Sequence, residues 1–205
     1  MIIAVDGPVA AGKGTLARRI AAHYDLQYLD TGALYRAVGL KLLRDGNDPH
    51  NEEAAVDAAR HVGEVPLDDT ALREEATGEA ASIVAANQGV RAALLQYQRD
   101  FAQNKGGAVL DGRDIGTVVC PEADVKLFVT ASAEVRARRR FDELVAKGVE
   151  TTFDAVLEDL HARDARDMGR GSAPLKKADD AHLLDTSKLD IEAAVTAACM
   201  IIDAA

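Results

Sequence analysis

The sequence predicts a three-layer α/β fold around a central, mainly parallel five-stranded sheet, and three observations carry that expectation. Short apolar, β-branched runs recur at 2–5, 27–29, 108–110, 125–129 and 182–184. The segments between them have helical spacing, so strands and helices alternate. Parallel strands joined by helices that cover both sheet faces produce that alternation. Each run also ends in a chemically loaded turn: Asp6-Gly7, Asp30-Thr31-Gly32, Asp111-Gly112-Arg113-Asp114, Thr130-Ala131-Ser132 and Asp185-Thr186-Ser187. In an open parallel sheet those turns share one edge, where ligands bind. An aspartate at a strand end is often only a helix cap. Several on one edge point to a site.

The first run, Ile2-Ile3-Ala4-Val5, enters GPVAAGKGT at 7–15. A buried strand, a Gly-rich loop and a helix starting near Lys13 form a phosphate cradle. Its glycines allow close backbone approach, successive amides and the helix end face the anion, and Lys13 adds a full charge. The loop Gly7, Pro8, Val9, Ala10, Ala11, Gly12, Lys13, Gly14 and Thr15 is therefore expected to hold the phosphates of a nucleoside triphosphate, which makes the fold of the P-loop NTPase kind. Gly14 stands where a hydroxyl residue commonly follows the lysine, with Thr15 one step later. Mg²⁺ is accordingly expected mainly through nucleotide and water, with no protein ligand assigned. Leu16 and Ile20, four apart, mark the buried face of the helix.

Residues 46–87 contain no clear strand and read as an acidic, Ala-rich helical insert broken at Pro66. Further on, Ser132 is placed to cap a helix whose Arg136, Arg139 and Arg140 share one face at about 100° per residue, Arg138 pointing elsewhere. That helix should end near Gly148. Thr151 and Asp154 resemble a capping box opening a second helix, with Phe153, Val156, Leu157 and Leu160 as its buried stripe. The same face continues as Arg163, Arg166, Asp167 and Arg170. Such charges can be solvated ion pairs, but here they extend a core-facing stripe and are expected to enter a cleft. The Lys147-Gly148 turn would be a lid over transferred phosphates.

Composition narrows the partners. The chain has 205 residues, 48% of them hydrophobic, and a net charge of −10, which argues against general binding to a nucleic-acid polymer. Yet seven of its sixteen arginines lie between 136 and 170, as suits gripping a small polyanion. No run approaches the roughly 18 apolar residues that cross a bilayer, and the N-terminus lacks signal-peptide character. Cys120 and Cys199 read as reduced thiols rather than a disulfide or a zinc site. A cytoplasmic monomer that touches no membrane is expected.

GPVAAGKGT, LDTGALYR at 29–36, DGRDIGT at 111–117, RDARDMGR at 163–170, APL at 173–175 and LLDTS at 183–187 together resemble bacterial cytidylate kinase, a nucleoside-monophosphate kinase of the P-loop class, over nearly the whole chain. The resemblance implies phosphorylation of CMP and dCMP by ATP with Mg²⁺. By position it assigns Thr31, Arg36, Arg113 and Arg170 to the monophosphate side, Ser82, Arg91 and Asp114 to the cytosine edge, and Arg163 and Asp167 to the ribose. Lys13, Arg113, Arg170 and the lid residues Arg136, Arg139 and Arg140 would stabilise the phosphoryl group in transit. It implies one kinase domain over 1–205, with 1–30, 88–135 and 171–205 as core, 31–87 as a monophosphate-binding region and 136–170 as lid and arginine-bearing helices. Within 31–87 the insert is short, reduced to about 63–77. Other small-acceptor kinases share the loop, but adenylate kinase places Pro-Gly within it, whereas Pro8 directly follows the first glycine here. A nucleotide-gated switch would carry an N-K-x-D motif, which is absent.

Overall fold

The structure, a computed structural model, describes residues 1–205. In chain order its elements are β1 (Ile2–Asp6), α1 (Lys13–His23), β2 (Gln27–Asp30), α2 (Thr31–Arg44), α3 (Glu52–Arg60), α4 (Glu75–Val84), α5 (Gln88–Ala102), β3 (Ala108–Gly112), β4 (Val125–Thr130), α6 (Ala133–Ala146), α7 (Phe153–Gly169), β5 (His182–Asp185) and α8 (Ile191–Asp203). The five strands form one sheet in the order β2-β3-β1-β4-β5, every neighbouring pair parallel. All five apolar runs are strands. Each strand extends one or two residues beyond its run, so Asp6, Asp30, Asp111, Thr130 and Asp185 belong to the sheet edge.

Strand alternation sorts the core into layers. Ile3 and Val5 of β1 and Val109 of β3 pack with Leu16 and Ile20 of α1 and Ala198 and Ile202 of α8. The intervening Ala4 and Leu110 face the other way, toward Ala102 of α5 and Ile115. Each fully buried Leu or Ile contributes about 2 kcal/mol, and small alanines let the helices lie close where aromatics are scarce.

Helices α2, α3, α4 and α5 share a separate cluster that includes Leu34, Val38, Leu42, Ala58, Val84 and Leu94. Residues 46–87 are helical as expected: α3, α4 and two short 3₁₀ turns at Val62–Glu64 and Thr70–Arg73, with Pro66 between the turns. The close fit of α2 to α4 depends on Gly39. A methyl group there would lie 3.0 Å from both Ala80 Cβ and the Ala81 amide nitrogen.

Helices α6 and α7 form a hairpin around Ala137, Leu144, Val156 and Leu160. The Ser132 hydroxyl accepts from Val135 N at 3.3 Å, and Gly148, with φ of +76°, turns the chain at the tip. The second cap lies one residue later than the sequence suggests: Thr152, not Thr151, accepts from Ala155 N, at 3.2 Å. Phe153 sets this start by packing edge-on against Phe141, with Arg138 stacked 4.5 Å from its ring centre.

Gly39→Ala tests the platform. Alanine gains about 1 kcal/mol of helix propensity, but crowding against unyielding backbone costs about 1–3 kcal/mol. A net loss of about 1 kcal/mol is expected by urea unfolding; a stabilised variant would show that α4 slides freely on α2.

Candidate active site

Strand β1 delivers the chain to the carboxyl edge of the sheet, where residues 7–15 wrap an anion-shaped hollow. A methyl group on Gly7, whose φ is +152°, would lie 1.9 Å from the Val129 carbonyl oxygen, so only glycine lets the loop leave beside β4. Ala10 and Gly12 also take positive φ, +59° and +85°, curling the loop. Helix α1 then opens with no acidic residue in its first turn and no side-chain cap, which leaves its amide donors for an anion. Lys13 folds back over the loop, donating to Pro8 O at 3.4 Å and standing 3.6 Å from Asp111. Burial draws its pKa down to about 8; Arg113 adds repulsion and Asp111 opposes it. A side chain at position 14 would have its Cβ 3.1 Å from Asp111 Oδ2, so Gly14 is what allows that carboxylate to rest against the loop.

A cavity of about 310 Å³ opens beside this loop, between α2, α4 and α7. Thr31, Arg36, Ser82, Arg91, Arg113, Asp114, Arg163, Asp167 and Arg170, widely separated in sequence, all line it together with Lys13 and Arg140. At one end Arg91 pairs with Asp114, bonds Ala85 O at 3.2 Å and lies over the Tyr35 ring, 5.6 Å from its centre. Toward the other end Arg36 bridges to Asp30 at 2.6 Å across Gly32, where a Cβ would come within 3.1 Å of both groups. Asp167 accepts from Arg113 Nε at 2.8 Å and from Arg170. Burial would raise its carboxyl, but Arg113 and Arg170 hold it below the usual carboxylate range. Thr31 donates to Asp111 O at 2.7 Å, pinning the start of α2 to β3.

Arg163 differs from its neighbours in having no carboxylate within ion-pair distance. Its Nε is buried without a partner. Burial, with repulsion from Arg113 and Arg36, lowers its pKa to about 10. Five buried side-chain polar atoms lack partners, and three of them, Ser82 Oγ, Arg163 Nε and Arg170 Nε, belong to residues lining this one cavity. Such atoms cost free energy unless a ligand completes them.

The three arginines on one face of α6 have separate environments. Arg136 is buried in a two-point pair with Asp164 (2.7 and 3.2 Å) and also donates to Ala131 O and Val9 O. Those contacts tie α6 to α7 and to the loop, and Arg136 does not line the cavity. Arg139 donates to Thr186 Oγ1 and O, with Nη1 3.8 Å from where a Gly12 Cβ would lie. Arg140 reaches the cavity while paired to Glu143 and, across the cleft, to Glu75 of α4.

A family model described as cytidylate kinase matches residues 3–204. The chain is 58% identical to the cytidylate kinase of Methylocella silvestris, covering all of this chain and 95% of that one. It is 59% identical to the cytidylate kinase of Xanthobacter autotrophicus, covering 100% and 98%. The chain belongs to the cytidylate kinase family. Because these relatives are covered almost end to end, they too have little room for a longer insert. Among solved structures, the chain resembles in fold an uncharacterized protein from Eubacterium ventriosum (TM-score 0.60, 13% identity, 100% and 99% covered) and a sugar kinase from Janibacter sp. (0.51, 16%, 98% and 93%).

Several residues that shape this site receive no role from sequence. Asp6 stands out only as a strand-end aspartate, Asp111, Tyr35 and Asp164 only as unassigned members of DGRDIGT, LDTGALYR and RDARDMGR, and Glu75 carries no signal of its own. Position at the carboxyl ends of central strands was the available clue for the first two.

Asp164→Ala would leave Arg136 buried without its counter-charge, costing about 3–5 kcal/mol by urea unfolding. The double change Arg136→Met, Asp164→Leu should recover most of that loss. Equal instability of both variants would mean the pair is not what joins the hairpin.

Proposed function

We propose that this protein transfers the γ-phosphoryl group of ATP to CMP or dCMP, giving ADP with CDP or dCDP. The observation that carries the reading is Arg163: a half-buried guanidinium with no carboxylate within ion-pair distance and an unpartnered Nε, in a cavity it lines beside Lys13, Arg36, Arg113 and Arg170, together with Ser82, Arg91 and Asp114. A phosphate dianion answers that surplus of charge, and membership of the cytidylate kinase family supplies the acceptor class.

In this reading the amides of residues 7–15 and Lys13 hold the ATP phosphates, with Arg139 near Gly12. Arg36, Arg113, Arg163 and Arg170 grip the acceptor phosphate, and Thr31 keeps the floor of that site in place. Ser82, Arg91 and Asp114 read the cytosine edge, the unpartnered Ser82 hydroxyl being free to bond the base. Asp167 aims Arg113 and Arg170 and, with Arg163, lies on the ribose side, its carboxylate able to accept from a 2′-hydroxyl when one is present. Arg136 positions the hairpin, whereas Arg140 is free to exchange Glu75 for phosphoryl oxygen as the cleft closes. A phosphate monoester dianion is already a nucleophile and needs no general base. What the protein supplies is in-line placement, charge stabilisation and exclusion of water.

A Mg²⁺ ion accompanying ATP would be held mainly through the nucleotide and water, with the buried Asp111 carboxylate against Gly14 as the oxygen donor beside the loop. Bound, the ion would supply positive charge to the β- and γ-phosphoryl oxygens. No helix is long and apolar enough to cross a membrane, and both cysteines are free thiols. We read the enzyme as a cytoplasmic monomer acting on free nucleotides.

ADP release with ATP and Mg²⁺ should be rapid with CMP and dCMP and weak with AMP or GMP; preference for a purine would overturn the base-reading residues. Arg163→Met should lower kcat/KM for CMP about 100-fold, an order set by losing a charge-assisted phosphate contact. The same variant should melt close to the parent, because Arg163 makes no ion pair or hydrogen bond within the protein for the change to break. Normal CMP use in that variant would remove Arg163 from the acceptor site.

A further inference from the structure

Asp6 ends β1 immediately before the phosphate loop and is 5% exposed, yet its carboxylate does not face the loop. It crosses to the chain beyond β3, accepting from Ile115 N and Gly116 N at 2.8 Å each. Those amides open the π-helical turn Ile115–Val119, the segment that directly follows Arg113 and Asp114. At the start of such a turn the N-cap residue ordinarily bonds the first free amides with its own side chain. Asp114 occupies that position and makes no such bond. Its carboxylate pairs instead with Arg91 and lines the cavity.

We propose that Asp6 is a positioning residue for acceptor recognition: by capping the Ile115–Val119 turn from a neighbouring strand, it keeps Asp114 from capping its own turn and leaves the Asp114 carboxylate facing the cleft. Three further observations agree. The two amides are the principal favourable contacts of Asp6: burial raises its carboxyl to about 7, and Gly116 N and Ile115 N are the strongest influences holding it down. Bonds within the turn run from Val118 N and Val119 N to Asp114 O and from Cys120 N to Ile115 O, which leaves the amides of Ile115 and Gly116 for a side-chain cap. Ile115 and Gly116 are themselves buried, so water does not compete with Asp6 for their two amides. Because β1 pairs with β3 from Ile2 to Asp6, the cap fixes the acceptor-side turn to the strand that bears the ATP loop.

The proposal rests on the reading of Asp114 as a base-reading residue, and kinetics with CMP and ATP separate the two. Asp6→Asn keeps the shape but turns an amide NH₂ toward one of the two N–H donors. It should raise the KM for CMP about tenfold while the KM for ATP stays within about twofold. In an Asp114→Asn background the same change should have no further effect on the CMP KM, because Asp6 acts through Asp114. A parallel rise in both KM values, an unchanged CMP KM, or additive effects in the double variant would each overturn the proposal. Should Asp6→Asn fold poorly, Asp6→Glu keeps the charge but moves the carboxylate off the two amides and should reproduce the CMP-selective rise; wild-type KM values there would count against it. Absence of CMP turnover in the unmodified protein would instead overturn the proposed function.

Discussion

Positive charge gathered in one cleft beyond what its carboxylates balance is the constraint to which the rest of this site answers. Like charges held close together repel. Arg163, half-buried, has no carboxylate within ion-pair distance, whereas its cationic neighbours are each set against one. Asp167 serves Arg113 and Arg170 together, Asp30 serves Arg36, Asp114 serves Arg91, and Asp111 stands off from Lys13. Each carboxylate fixes the direction of its cation and leaves donor capacity over. The cleft is thus both organised and short of negative charge.

The acidic partners do this from rigid ground. Asp6 and Asp111 end strands at the middle of the sheet, Asp167 lies on α7, and α7 is joined to α6 and to the phosphate loop through Arg136 and Asp164. Gly7, Gly14 and Gly39 matter for a related reason. At each, an absent side chain lets two elements approach to a distance that no substitution preserves without a shift.

The sheet was legible because its strands are short, apolar and bounded by turn residues, and the phosphate loop because its motif sits between a strand and a helix. The arginines of α7 were legible too, since 3.6-residue periodicity carries the buried stripe of Val156 and Leu160 directly into Arg163, Asp167 and Arg170. Periodicity could not separate Arg136 from Arg139 and Arg140. They share a helix face, and only a partner 28 residues away makes Arg136 structural. The strand-end aspartates look alike in sequence for a similar reason. Sheet order separates them: Asp6 and Asp111 lie on interior strands and are buried, whereas Asp30 and Asp185 lie on edge strands and serve adjacent turns. The displaced cap at Thr152 reflects the packing of Phe153 and Phe141, a tertiary contact that two adjacent threonines do not announce.

The bridge from Arg140 to Glu75 bears on timing. It is the ion pair that spans the cleft mouth between α6 and α4, and its side chains are 25% and 63% exposed. Solvent screening limits such a pair to about 1 kcal/mol, at which strength it stands open in about one molecule in six at any instant. A closure that weak scarcely delays the arrival of a small nucleotide. It does hold a guanidinium at the entrance in a bond weak enough to open and re-form unaided.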